Sequence, residues 1–268
     1  MKRINLNVIY ELGGAISPLT RYNSSTQLST EVWNLFVVHG ALNNIKNSEL
    51  ELRLSRNAVD MLYTTIQEKI MPFLGKPESI ESYLHWTIQT QANTLQTVLK
   101  EEIASLHTYF VSSKTDFNTR SLVESADDGF TDFIRSILNY DIKLEWNQAG
   151  KCLAFELSTA SGFHCLRAVE LSILLYYENI TGKKMPVPDN KRNWGEYIKQ
   201  LKDAGASEKI TSILSQIKDL HRNPLMHPED TLSLDEAIIL YNLCKCFISS
   251  LFHNVEKKVV LALAANNN

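Results

Sequence analysis

The stretch Ser161-Gly162-Phe163-His164-Cys165-Leu166-Arg167-Ala168-Val169-Glu170-Leu171-Ser172-Ile173-Leu174-Leu175-Tyr176-Tyr177-Glu178-Asn179-Ile180 holds no proline and few charges. It reads as a strongly apolar helix from about Ser161 to Ile180. Thr181-Gly182-Lys183-Lys184 closes it, with glycine at the usual end position and lysines beside the negative helix terminus. Upstream, Ala149 to Leu157 reads as a further helical segment. Downstream comes a loop, Met185 to Asn193, with Pro186 and Pro188, then two shorter helices at Trp194–Ala204 and Ser207–Leu220. Ile210, Ile213, Leu214, Ile217 and Leu220 fall on one face of the second. A last helix opens at Ser233, whose Ser-x-x-Glu pattern with Glu236 fits a capping box, and runs past Phe252.

The first half repeats this texture without obvious chemistry. Residues 31–45 carry Val32, Leu35, Phe36, Val38, His39 and Leu42 at helical spacing behind Ser29-Thr30. Further patterns cover 48–73, 79 to about 111, and 121–138. The texture changes around Asp141 to Gly150. The chain is therefore predicted to be all-α, with a helical domain of unassigned role over 1–140 and a helical bundle over 141–268.

Composition agrees. Only 10 Gly and 7 Pro occur in 268 residues, which disfavours a loop-rich sandwich or barrel. A net charge of -3 excludes a globally basic nucleic-acid coat but leaves room for a local basic pocket. No window holds 18 consecutive apolar residues, and the start Met1-Lys2-Arg3-Ile4-Asn5 does not read as a signal peptide, so a cytoplasmic protein is expected. Cys152, Cys165, Cys244 and Cys246 lack a CxxC spacing and read as small buried hydrophobes. Cys244 and Cys246, two apart on a helix, point different ways and make a poor chelating pair.

Chemistry concentrates in His221-Arg222-Asn223-Pro224-Leu225-Met226-His227-Pro228. Pro224 lacks a donor and clashes with the preceding turn, so the helix from Ser207 is expected to end near Arg222, with Asn223 capping a new turn. Arg222 and His227 would then bracket a short, tight element and could converge on one ligand. A guanidinium holds two phosphate oxygens at once, and an imidazole exchanges a proton near neutral pH. RNA brings its own nucleophile in the 2′-hydroxyl, so this pair suits phosphodiester cleavage without a metal. Spacing alone does not separate such a pair from an exposed Arg and a His that merely finishes a helix turn.

Arg222-Asn223-x-x-x-His227 resembles the Arg-polar-x3-His signature of HEPN domains (higher eukaryote and prokaryote nucleotide-binding). The likeness continues through Ala149-Gly150-Lys151-Cys152-Leu153-Ala154-Phe155, Gly162 to Glu170, Tyr176-Tyr177-Glu178 with Thr181-Gly182, and Trp194-Gly195-x-x-Ile198. It covers roughly Asp141 to Val260. The resemblance implies a four- or five-helix bundle that forms a homodimer through this domain. It also implies metal-independent endoribonuclease activity with no cofactor, of the kind found in toxins and antiphage defence. By the same resemblance Arg222 and His227 form the catalytic pair and Asn223 orients the His or contacts phosphate; Glu170 could face the pocket and hold Arg222, or stand as a surface carboxylate.

Other readings stand beside this one. The chain could be an inert HEPN scaffold that binds nucleotide, RNA or a protein. It could also be a toxin silenced by an antitoxin or regulatory protein, or by nucleotidylation of a tyrosine such as Tyr241. His221 is a candidate second proton carrier or a solvated helix end. Lys183, Lys184, Lys191 and Arg192 form a basic cluster that could guide RNA, or a solvated loop. Arg167 and Glu170, three apart, could simply pair; His164 reads as a satisfied core residue, and Trp194 as packing more than base stacking.

Overall fold

The computed structural model describes residues 4–73, 75–77, 81, 83–114, 117–188 and 193–266. It is all-α: among the described residues there is no strand. The chain divides into two compact units, Met1–Tyr109 and Phe110–Asn268.

The first unit holds α1 (Asn7–Ile16), α2 (Val32–Lys46), α3 (Arg56–Lys69) and α4 (Leu84–Ser105). Its core is built from Leu12, Ile16, Leu35, Leu42, Leu62, Ile66, Ile88 and Leu95. The pattern over 48–73 yields a shorter helix than its apolar spacing predicts, because a distant carboxylate fixes its start. Glu102 of α4 is buried and accepts from the Arg53 amide, from the Leu54 and Ser55 amides (2.9 Å each) and from the Ser55 hydroxyl. Those donors are held in a turn around the carboxylate, and α3 begins behind them at Arg56. The helix expected over 79–111 runs from Leu84 to Ser105; Ser79 and Ile80 lie outside the described residues.

The second unit starts about thirty residues before the change in sequence texture at 140/141. The reason lies in 118–138, where Leu122, Ala126, Phe130, Ile134 and Leu138 pack into the core of this unit. That stretch is three short turns rather than one helix: α5 (Thr119–Glu124), a 3₁₀ turn at Ala126–Gly129, and α6 (Asp132–Ile137). Asn118 and Thr131 cap the two helices. The break between them is stitched to α7 (Tyr140–Ala154): Trp146 Nε1 donates to Ala126 O, and Asn147 Nδ2 donates to Asp127. Gly150 lets α5 come close, since a Cβ there would stand 2.5 Å from Ala126 Cβ and 2.8 Å from Leu122 O.

α8 (Ser158–Thr181) is the central helix, packed against α7 and against α12 (Leu234–Asn266). It ends as the sequence predicts: Gly182 takes a left-handed conformation at φ 68°, and its amide donates to Glu178 O at 2.8 Å. α9 (Trp194–Asp203) and α10 (Glu208–Ile217) follow, capped by Asn193 and Ser207. The predicted capping box is present at the start of α12, with Glu236 Oε2 accepting from the Ser233 amide at 2.8 Å and the Glu236 amide returning to Ser233 Oγ at 3.3 Å. Cys165 and Cys244 are buried; Cys246, expected inside, is exposed because its place on α12 faces away from the core. No helix among the described residues is long and apolar enough to cross a membrane.

Candidate functional site

Pro224 does not end the helix at Arg222. The backbone instead widens into a π-helical turn, Lys218–Arg222, and continues directly into the short α11 (Asn223–Leu225). In an unbroken α-helix the Pro224 ring would meet the carbonyl of Leu220. The wider turn relieves this, and the Asn223 amide reaches back five residues to Lys218 O. Asn223 is helical, with φ -64° and ψ -50°, so it does not act as the expected cap. The same widening rotates Leu220 off the buried face predicted for it; it is 68% exposed, while Ile210, Leu214 and Ile217 stay inside.

The segment is fixed from below. Leu225 is buried, the Leu232 amide donates to Thr159 Oγ1 at 3.0 Å, and both leucines close over Gly162 of α8. A Cβ at Gly162 would stand 2.6 Å from Leu232 Cδ1 and 3.0 Å from Leu225 Cδ2. Gly162→Ala is therefore expected to shift this loop and cost about 1–3 kcal/mol by overpacking. Urea unfolding checks the stability change, and an unchanged midpoint would refute the anchoring role.

On this support His221 and Arg222 are half-buried, and Asn223 and His227 are exposed. Burial pushes the His221 imidazole down from its ordinary range, favouring the neutral ring. Among the described residues the side chains of Arg222, His221, Asn223 and His227 make no hydrogen bond or ion pair. Lys218 pairs with Asp219 at 3.2 Å. The segment thus carries an uncommitted guanidinium and two imidazoles within seven residues, on a turn anchored by Leu225.

Glu170 does not hold Arg222. Its carboxylate accepts from Trp194 Nε1 at 3.0 Å and from Tyr197 OH at 3.1 Å, which draws it towards α9. Trp194 is buried by that contact, so it is not available to stack on a base. Tyr241 is buried too, its ring 4.4 Å from Trp146, and is closed to a modifying enzyme. Lys183 and Lys184 are exposed just past α8; Lys191 and Arg192 lie outside the described residues.

One cluster was not legible in the sequence. Arg167 pairs with Glu145 of α7, at 2.8 Å, rather than with Glu170, and the same carboxylate takes His164 Nδ1 at 2.7 Å. Glu145 and His164 are 19 residues apart on two packed helices, so no local spacing announces them. Among the described residues no group of three or more His, Cys, Asp or Glu is arranged to hold a metal ion. Comparison with protein-family models, curated proteins and solved structures found no match for this chain.

Proposed function

We propose that residues 218–227 form the cutting centre of a HEPN-type endoribonuclease that acts without metal, as a toxin or phage-defence effector in the cytoplasm. The observation that carries this reading is the unpaired, half-buried Arg222 on a π-helical turn. A guanidinium kept free of every carboxylate among the described residues is unspent charge, and the same segment carries two imidazoles able to move protons. Placing it on a widened turn locked by Pro224 and Leu225 restricts its motion, which lowers the cost of gripping a phosphate.

In this mechanism His227 removes the proton from the RNA 2′-hydroxyl, whose oxygen attacks the adjacent phosphorus. Arg222 stabilises the negative charge that builds on the phosphoryl oxygens. The 5′-oxygen leaves with a proton from an imidazolium, the His227 of a second copy, because burial favours the neutral His221 ring, and a cyclic phosphate remains. Asn223, exposed on the same turn, would contact phosphate, and Lys183 and Lys184, past the opposite end of α8 from Gly162, would attract a more distant stretch of the RNA backbone. Leu220 and Met226, 68% and 45% exposed, flank the same turn and offer apolar contact to a second copy of this unit.

The expected test uses an RNA oligonucleotide cut at a mapped bond and its twin carrying one 2′-deoxynucleotide at that bond. Cutting should disappear at the deoxy position alone. Continued cutting there would mean that water or a protein side chain is the nucleophile.

A further inference from the structure

The cluster on α7 and α8, independent of the cutting centre, has the makings of a second reactive site. Glu145 is only 12% exposed at its side chain, and its oxygens are divided between two partners. Oε2 takes His164 Nδ1 at 2.7 Å; Oε1 takes Arg167 Nε at 2.9 Å and Nη2 at 2.8 Å. Burial alone would raise the Glu145 carboxyl, but the bonds from His164 and Arg167 outweigh it and hold it below the usual carboxylate range. An ionised carboxylate can only accept, so the hydrogen of the neutral ring resides on Nδ1.

That leaves the lone pair on Nε2. The His164 side chain is 33% exposed, Nε2 has no partner among the described residues, and it is not a buried atom. Carboxylate-oriented imidazoles with the outer nitrogen bare are the arrangement used to make a nucleophile or base of a histidine. Arg167 lies one helical turn on, three residues along the same face, with its side chain 67% exposed and Nη1 uncommitted. A clamp between α7 and α8 needs only the Glu145–Arg167 pair. The oriented ring and the free guanidinium edge go beyond that.

We propose that His164 is a phosphoryl-acceptor site, with Glu145 positioning the ring and Arg167 binding the phosphoryl oxygens. The donor class is a phosphoramidate, which includes the phosphohistidine of another protein. The Nε2 lone pair attacks phosphorus, a new N–P bond forms, and the donor's P–N bond breaks. With phosphoramidate itself, whose nitrogen is already protonated, ammonia departs with the bonding pair. The Nδ1 hydrogen stays on the ring, now cationic, in its bond to Glu145.

The test incubates the full chain with potassium phosphoramidate and maps the acid-labile phosphoryl group by tandem mass spectrometry. The chain's seven histidines provide their own controls. His164 should label at least about tenfold faster than His107 or His227, as expected for a general acid–base or nucleophilic assist of modest size. Arg167→Ala and Glu145→Ala should each remove most of that advantage. In Glu145→Ala the ring nitrogen NMR signals of residue 164 should also lose the single Nδ1–H tautomer, a change that a mere loss of packing would not produce. Labelling of His164 at the rate of the other histidines would overturn the proposal, as would an undiminished rate in folded Glu145→Ala.

Discussion

Arg222→Ala should slow RNA cleavage by roughly two to three orders of magnitude while leaving the fold intact. The size follows from the role: one preorganised charged donor facing a developing phosphorane is worth roughly 3–4 kcal/mol. The fold should not suffer, because the Arg222 side chain bonds to nothing among the described residues, and removing such an unpartnered side chain should cost no more than about 0.5 kcal/mol. Arg222→Lys should recover only a small part of the rate. An ammonium supplies charge but not the planar two-point grip on phosphate. Rates measured under single-turnover conditions, beside urea midpoints, separate the two effects. A midpoint that falls as far as the rate would make Arg222 a structural residue.

The second large effect lies in the first unit. Glu102→Ala strips an acceptor from the amides of Arg53, Leu54 and Ser55 and from the Ser55 hydroxyl, all gathered around one buried carboxylate. Leaving such donors unsatisfied should cost about 3–5 kcal/mol and free the start of α3. Burial raises the Glu102 carboxyl, yet the four donors outweigh it and bring it down from 4.5 to about 2. A folded value below the unfolded one means that the carboxylate stabilises at higher pH. Its contribution, about 3 kcal/mol from the size of the shift, is complete above pH 4.5 and is lost as pH falls towards 2. Denaturant titrations across this window should show a steep loss of stability in the wild type and a shallower one in Glu102→Ala. Parallel slopes would contradict the assignment.

The contrast between the two halves shows what local pattern can carry. The span and end of α8 were legible because Ser161 to Ile180 is strongly apolar with no proline and Gly182 stops it; Ser233 and Glu236 announced α12 through a contact only three residues long. Where a tertiary partner decides, pattern fails. Glu102 sets the start of α3 from 47 residues away, and Asn147 and Trp146 hold open the break that 121–138 hides. At the candidate site, the effect of Pro224 was foreseen but its form was not. A proline clash can be met by ending the helix or by widening it, and the firm seat of Leu225 and Leu232 on Gly162 favours the second. That choice turned Leu220 outward, contrary to its place in the apolar pattern. Glu170 went to Trp194 and Tyr197 because α9 packs over it, a relation no spacing within α8 contains.

Cleavage of a mixed pool of cellular RNA by the purified chain, with EDTA present, bears most directly on the central claim. His227→Ala and Arg222→Ala are run beside the wild type, each first shown to be folded by circular dichroism. The account predicts cutting by the wild type, cyclic phosphate ends on its products, and loss of cutting in both variants. RNA left equally intact by all three proteins, or cut equally well by the variants, would contradict it and leave an inert helical scaffold as the better description.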